Sequence, residues 1–180
     1  MDVYLITGNK DKLREAEQIL GIEQKSIKLE LDEIQGLDSD IIAEHKARQA
    51  WEQIKKPLVI WDQSLYINCL NDFPGPLIKW FWTKVGLEKI CKIANFFDNH
   101  GISTRTTLTY YDGNSIKYFY GEVKGIIPTK PKGEHGFAWD PIFIPDGYDK
   151  TFAEMTYEEK NAISMHRIAL EKLRDYLSQQ

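Results

Sequence analysis

The chain has 180 residues, 42% of them hydrophobic and 28% charged, which is typical of a globular protein and predicts a single domain over residues 1–180. Its 23 basic and 27 acidic residues give a net charge of −4. Proteins that bind nucleic acids usually carry a basic excess, so we expect no nucleic-acid polymer as a partner, whereas a small phosphate ligand stays possible. With two widely spaced cysteines, no apolar run near the roughly 20 residues of a membrane span and no visible signal peptide, we expect a cytoplasmic protein without a membrane partner.

Predicted strands and helices alternate in the first half of the chain. Short apolar or alternating runs predict strands at residues 3–6, 27–31 and 58–61. Apolar residues at helical spacing predict helices at 10–20 and 41–54. The last of these strands runs directly into an acid, Asp62.

The second half of the chain predicts an antiparallel portion. Two β-branched and aromatic runs, 103–111 and 115–123, flank Asp112-Gly113-Asn114, which is a hairpin signal. Residues 125–136 are rich in Gly, Pro and Lys and predict a loop. The predicted helices here are 87–97 and 162–177. The pattern as a whole predicts an α/β fold with mixed strands and helices.

The segment Thr7-Gly8-Asn9 connects a predicted strand to a predicted helix. Such a turn can direct free backbone N–H groups and the positive end of the helix at an anion, and Lys12 adds a full charge. The alternative is an ordinary turn without a ligand.

Two acids follow predicted strands, Glu33 and Asp62. Acids at strand ends on one edge of a sheet can converge on Mg²⁺, which accepts one or two carboxylates together with substrate phosphates. Glu33 alone is also compatible with a solvated loop acid. Asp62 ends an apolar strand, so it must be solvated, paired or functional.

Aromatic and acidic residues are concentrated at Phe137, Trp139 and Asp140. The two rings could stack on a base and the acid could accept a hydrogen bond from a ring N–H, although aromatic residues beside a proline are often core anchors. Cations that could contact phosphates or base edges follow at Lys160, His166 and Arg167.

The ordered combination of these motifs resembles the inosine triphosphate pyrophosphatase family, and the resemblance spans nearly the whole chain. The matching pieces are Thr7-Gly8-Asn9 with Lys12, Glu33-Ile34-Gln35, Lys46-Ala47, Asp62, Pro74-Gly75-Pro76, Phe137-Ala138-Trp139-Asp140-Pro141, Thr151-Phe152-Ala153-Glu154-Met155, Lys160-Asn161-Ala162 and His166-Arg167.

The resemblance implies a fold and a reaction. The fold would be an elongated mixed β-sheet with flanking helices, in two lobes around a central cleft. The reaction would be the Mg²⁺-dependent hydrolysis of non-standard purine nucleoside triphosphates (ITP, dITP, XTP) to the monophosphate and pyrophosphate. A homodimer is also implied, and the aromatic run Trp80-Phe81-Trp82, which cannot all face one core, is our candidate for its interface.

The resemblance also implies roles for individual residues. Glu33 and Asp62 would hold the metal, while Asp62 would activate the attacking water and Lys12 would assist catalysis. His166 and Arg167 could read a 6-oxo group. The residues with implied substrate contacts are Thr7, Gly8, Asn9, Lys12, Lys46, Lys79, Phe137, Ala138, Trp139, Asp140, Lys160, His166 and Arg167.

The chain departs from the family pattern at four positions. Trp61 occupies the place of the first of two acids, Gln63 replaces a small hydroxyl residue, Ala138 replaces a glycine, and Met165 is inserted before His166. These changes leave two alternatives open. One is a nucleotide-binding relative with little or no turnover, and the other is a pyrophosphatase for modified pyrimidine triphosphates.

Overall fold

The computed structural model describes residues 3–20, 23–136 and 138–179. Within these residues the strands are β1 (Tyr4–Ile6), β2 (Ser26–Ile27), β3 (Leu58–Ile67), β4 (Phe73–Gly75), β5 (Gly101–Tyr111), β6 (Ile116–Ile126) and β7 (Ile144–Pro145). The helices are α1 (Lys10–Leu20), α2 (Ser39–Ile54), α3 (Ile78–Val85), α4 (Leu87–Phe97), α5 (Tyr157–Ile163) and α6 (Met165–Leu177). None of the helices in these ranges is long and apolar enough to cross a bilayer.

The described strands form one mixed sheet in the order β2-β1-β3-β5-β6-β7, with β4 paired to β3. Strand β1 is parallel to both β2 and β3, whereas β4 is antiparallel to β3 and β7 is antiparallel to β6. The predicted α/β class, with a mixed sheet and several helices, is therefore confirmed. The two lobes and the central cleft stay predictions.

Several elements differ from the sequence-based prediction. Strand β2 ends at Ile27, because its partner β1 ends at Ile6 and offers no further pairing. Strand β3 continues to Ile67, since its last residues pair with β4. The predicted helix 162–177 is instead two helices, because Ser164 adopts an extended conformation with ψ 153°. Helix α3 was not predicted at all.

The chain divides into two compact units. The first consists of the described residues up to Gln63, Thr106–Gly121, and the described residues from Met165 onward. The second consists of Ser64–Arg105 and Glu122–Ser164. Strands β3, β5 and β6 each contribute residues to both units. The single domain predicted over residues 1–180 stays a prediction.

The first unit buries apolar residues on both faces of its strands. On one face, Val59 and Trp61 pack with residues of α1 and α6. On the other face, Ile60 packs with the alanines of α2. Because successive side chains of a strand point to opposite faces, Asp62 belongs to the α2 face and Gln63 to the face of α1 and α6.

The second unit has an aromatic group in its core. The ring of Trp139 meets that of Phe143 at 5.6 Å and 63°, and Phe143 stacks on Phe152 at 4.9 Å and 22°. All three side chains are almost fully buried. This group holds the chain segment that contains the predicted base-binding residues.

Candidate active site

The turn between β1 and α1 is organised by its own side chains. The backbone N–H of Asn9 donates to Thr7 Oγ1 at 3.0 Å. Asn9 Oδ1 in turn accepts hydrogen bonds from the N–H groups of Asp11 at 2.8 Å and Lys12 at 3.4 Å. Asn9 is thus the N-cap of α1. The sequence predicted free N–H groups for an anion here, but these three already have acceptors, so a phosphate would have to bind the lysine or displace the cap.

Lys12 projects from the first turn of α1 toward β3. Its Nζ donates to the Trp61 carbonyl oxygen at 2.6 Å and lies 5.8 Å from the centre of the Trp61 ring. Burial lowers the pKa of the Lys12 ammonium, and the Asp62 carboxylate partly opposes this effect. Because burial disfavours the charged form of Lys12, a bound anion would stabilise its ammonium.

Asp62 lies just beyond the end of β1. The parallel register pairs Ile6 with Ile60, so Thr7 follows beside Trp61 and the neighbouring strand has already ended when β3 reaches Asp62. The carboxyl ends of parallel strands in open α/β sheets are common ligand sites. The structure therefore brings the predicted phosphate turn and the predicted catalytic acid to the same edge.

Lys46 joins the two predicted metal ligands. It lies on α2 next to the buried Ala47, and its Nζ is 2.8 Å from Asp62 Oδ1 and 3.6 Å from Glu33 Oε1. Asp62 Oδ2 is buried and finds no hydrogen-bond partner among the described residues. The ammonium of Lys46 thus stands between two carboxylates, where a cation is favoured.

This donor set fits Mg²⁺. Carboxylate oxygens are the ligands that Mg²⁺ prefers, and it commonly uses only one or two of them together with substrate phosphates. Glu33 and Asp62 supply two, and one oxygen of Asp62 has no other partner in the described part of the chain. No group of three or more His, Cys, Asp or Glu side chains with metal-binding geometry occurs in residues 3–20, 23–136 and 138–179.

His166 is turned into the first unit on the other face of β3. Its side chain is 0% exposed, and Nδ1 lies 2.6 Å from Glu15 Oε2. Its Nε2 contacts the amide nitrogen of Gln63, and its ring meets the edge of Trp61 at 5.0 Å and 76°. In this structure His166 has no exposed surface to present to a base, which differs from the role that the resemblance implied.

Several other residues that were predicted to bind the substrate are in the second unit. Asp140 and Lys160 form an ion pair of 2.7 Å in which each side chain is only 2% exposed. Ala138 has a φ of 56°, a left-handed conformation that glycine adopts more easily, so the family's usual glycine would fit here with less strain. Phe137 lies outside the described residues.

Two further predicted contacts are on helix surfaces. Lys79 is exposed on α3 with its Nζ 5.7 Å from the centre of the Trp80 ring. Arg167 pairs with Glu171 one turn later on α6, at 2.9 Å. Arg167 belongs to the first unit and Lys79 to the second.

Sequence reasoning missed Glu15. This acid is 1% exposed and shares the inner face of α1 with Ala16 and Ile19. Its spacing of four residues from Ile19 placed it on the apolar stripe, and a buried acid needs a partner. The helical periodicity was therefore a signal that could have identified it.

Comparison with known proteins places the chain in a family. A family model described as the Ham1 family matches residues 3–176. A dITP/XTP pyrophosphatase of Methanopyrus kandleri is 38% identical over 98% of this chain and 96% of the relative. An inosine triphosphate pyrophosphatase of Yarrowia lipolytica is 39% identical over 99% and 97%, respectively. A HAM1 protein from Coxiella burnetii has a similar structure, with a TM-score of 0.87 and 28% identity over 99% of this chain and 98% of that one. The family predicted from the motifs is thus confirmed, and the chain belongs to the Ham1 family.

Proposed function

We propose that this protein hydrolyses non-standard purine nucleoside triphosphates, such as ITP, dITP and XTP, to the monophosphate and pyrophosphate. The observation that carries the proposal is Asp62, whose buried Oδ2 has no described partner while Oδ1 is held by Lys46. Relatives covering almost the whole chain are named dITP/XTP and inosine triphosphate pyrophosphatases, which supports the same reaction here.

The cleavage of a phosphoanhydride needs charge neutralisation more than covalent chemistry. Lys12 and Lys46 contact Trp61 and Asp62 beside the carboxyl end of β1, where they could neutralise phosphate oxygens. Asp62 Oδ2 has a free lone pair with which it can orient a water and accept its proton as the water attacks phosphorus. Water attack at the α-phosphorus would release pyrophosphate and leave the monophosphate.

Glu33 and Asp62 would hold Mg²⁺, which would neutralise further phosphate charge when bound. In the present structure Lys46 bridges these two acids, so we propose that its ammonium turns toward the phosphates when a metal binds. Thr7 and Asn9 would then orient the phosphates from the turn. The homodimer and the cytoplasmic location also remain part of this proposal.

We assign recognition of the base to the segment around Ala138 in the second unit. Trp139 and Asp140 are packed inward, so they would shape the base pocket from behind, and Phe137 keeps its proposed role as a stacking ring. Arg167 keeps its proposed role with a 6-oxo group, since a donor that hydrogen-bonds an exocyclic oxygen rejects the amino analogue.

The alternative of a binding protein without turnover depended on Met165 and, next to Asp62, on Trp61 and Gln63. Both side chains lie on the face of β3 opposite Asp62, where they contact His166. The pair Glu33 and Asp62 is therefore present without the first acid of the family pattern. For this reason we favour an active enzyme.

The test is pyrophosphate release from ITP, dITP, XTP, GTP, ATP and modified pyrimidine triphosphates, with and without Mg²⁺. We expect turnover of the 6-oxo purines in the presence of Mg²⁺ and the highest kcat/KM for ITP, dITP or XTP. Asp62→Asn serves as the matched inactive control. Tight binding without release would instead support the non-enzymatic relative, and turnover confined to pyrimidines would support the third candidate.

A further inference from the structure

The two residues that flank Asp62 both rest on one side chain. Trp61 presents its ring to the edge of His166 at 5.0 Å, and the amide nitrogen of Gln63 contacts His166 Nε2. Asp62 points to the opposite face, toward Lys46. His166 thus supports β3 on the face opposite the side chain of Asp62, the proposed catalytic base.

Glu15 determines how the imidazole is presented. Glu15 Oε2 lies 2.6 Å from Nδ1, and both side chains are fully buried. A carboxylate at this distance accepts the Nδ1–H, which leaves Nε2 as an acceptor in the neutral ring. The amide nitrogen of Gln63 is a donor, so the contact at Nε2 matches this tautomer.

We propose that His166, oriented by Glu15, is a positioning residue that fixes Asp62 through Gln63 and Trp61. The proposal rests on the proposed function, because it concerns the same site. Asp62 needs such support from its backbone, since only one of its carboxylate oxygens has a described partner. Because His166 holds Trp61 and Gln63 on the opposite face of β3, it fixes the backbone conformation at Asp62 and thereby the direction of Oδ2.

Lys12 links this support to the phosphate side. Its Nζ donates to the carbonyl of Trp61, the residue whose ring His166 holds. A shift of Trp61 would therefore displace both the lysine and the peptide that precedes Asp62. The expected consequence is a loss in the chemical step, with ground-state binding of the nucleotide largely retained.

The experiment compares His166→Phe, Gln63→Met and the double variant in steady-state kinetics with ITP. His166→Phe keeps a ring beside Trp61 but removes both nitrogens, and Gln63→Met removes only the amide. We expect each single variant to lower kcat about 10- to 100-fold, the usual range for residues that orient a metal site, with little change in KM. Because both act through one contact, the double variant should lose no more than His166→Phe alone.

Arg174→Ala is the control on the same helix, because Arg174 is exposed and pairs with the adjacent Asp175. The proposal would be overturned if His166→Phe and Gln63→Met lowered kcat no more than Arg174→Ala does. It would also be overturned if their effects on kcat added fully in the double variant. A higher KM at unchanged kcat, together with a changed ratio of kcat/KM for ITP to kcat/KM for ATP, would also overturn the proposal. That result would indicate that His166 contacts the base. If His166→Phe does not fold, Gln63→Met decides, because it leaves the pair of Glu15 and His166 intact.

Two measurements need no turnover. Titration with Mn²⁺, followed by electron paramagnetic resonance, should show weaker metal binding in Gln63→Met than in the wild type. The ¹⁵N shifts of His166 should show a protonated Nδ1 and an unprotonated Nε2. A wild type that binds Mn²⁺ without releasing pyrophosphate would end the proposed function, whereas equal Mn²⁺ affinities or a protonated Nε2 would end the positioning role.

Discussion

The protein contains two acid–lysine pairs of nearly equal length in very different surroundings. Lys46 and Asp62 in the first unit are 2.8 Å apart, with side chains 13% and 22% exposed. Lys160 and Asp140 in the second unit are 2.7 Å apart, with both side chains 2% exposed. Distance alone therefore does not distinguish a pair that can exchange partners from one that is closed.

The difference lies in what surrounds each carboxylate. Lys46 reaches a second acid, Glu33, and Asp62 keeps one oxygen without a described partner. The buried pair is enclosed, because Lys160 Nζ lies 5.6 Å from the centre of the Phe152 ring and a Cβ at Gly136 would collide with the Asp140 carboxylate. A partly open pair with a spare acceptor suits chemistry, whereas a closed pair suits architecture.

The largest expected effect on turnover concerns Asp62, the acid of the partly open pair with Lys46. Asp62→Asn should lower kcat by about 10²- to 10⁴-fold, because the amide is a poor proton acceptor for the attacking water. The affinity for the nucleotide should stay within about tenfold, since the lysines remain. Pyrophosphate release and equilibrium binding of a non-hydrolysable triphosphate measure the two quantities. Near-wild-type turnover in this variant would show that Asp62 is not the catalytic base.

Removing one lysine from each pair tests the contrast between them directly. Lys160→Met should destabilise the fold by about 3–5 kcal/mol, because it removes the ion-pair partner of a buried carboxylate. Lys46→Met should cost less, about 1–3 kcal/mol as for a lost hydrogen bond to a charged group, because its pair is 13% and 22% exposed and not 2%, and it should raise KM. Urea unfolding and steady-state kinetics on the two variants provide the comparison. Equal losses of stability would mean that both pairs are structural.

Trp139→Ala sharpens the interpretation of the second unit. The sequence alone suggested that this ring stacks on the base. In that case the substitution would mainly raise KM, because a stacked ring contributes about 1–3 kcal/mol of binding free energy. The structure packs this ring against Phe143, so we also expect a loss of stability of about 3–5 kcal/mol. Trp139→Phe, which keeps a ring, should lose less. Thermal unfolding and KM for ITP separate the effects, and an unchanged KM would remove Trp139 from the base pocket.

Much of the first unit could be predicted because its site residues follow local signals. The turn at Thr7, the acid after an apolar strand and the lysine on α2 each adjoin an element with a clear periodicity. Parallel pairing of β1 with β3 then brings the carboxyl end of β1 beside Trp61 and Asp62. The hairpin turn was predictable for the same reason, since Asp112 accepts hydrogen bonds from the N–H groups of Asn114 and Ser115.

The features that could not be predicted depend on distant contacts. His166 pairs with Glu15 from 151 positions away, and the motif alone does not show that its ring faces inward. The continuation of β3 beyond Asp62 depends on pairing with β4, a strand of three residues that contains a proline. The break at Ser164 also escaped prediction, because the apolar pattern continues through it.

The smallest expected effect concerns α2, the helix that carries Lys46. Tyr118 on β6 donates to Glu44 of α2 at 2.9 Å. Burial, together with that hydrogen bond, raises the pKa of Tyr118 to about 12 from 10. Because the folded-state pKa is the higher one, this contribution to stability is complete below pH 10 and is lost as the pH rises toward 12.

Tyr118→Phe should therefore cost about 1 kcal/mol of unfolding free energy at neutral pH. The difference between the wild type and the variant should shrink as the pH rises from 10 to 12, because the unfolded wild-type chain then loses the phenol proton more readily than the folded chain. Urea unfolding of both proteins across this range measures the difference, while other alkaline titrations cancel in the comparison. A gap that stays constant with pH would mean that the bond to Glu44 does not hold the phenol proton, and that other contacts of α2, such as the bond from Tyr120 to Asp40 at 2.6 Å, keep Lys46 in place.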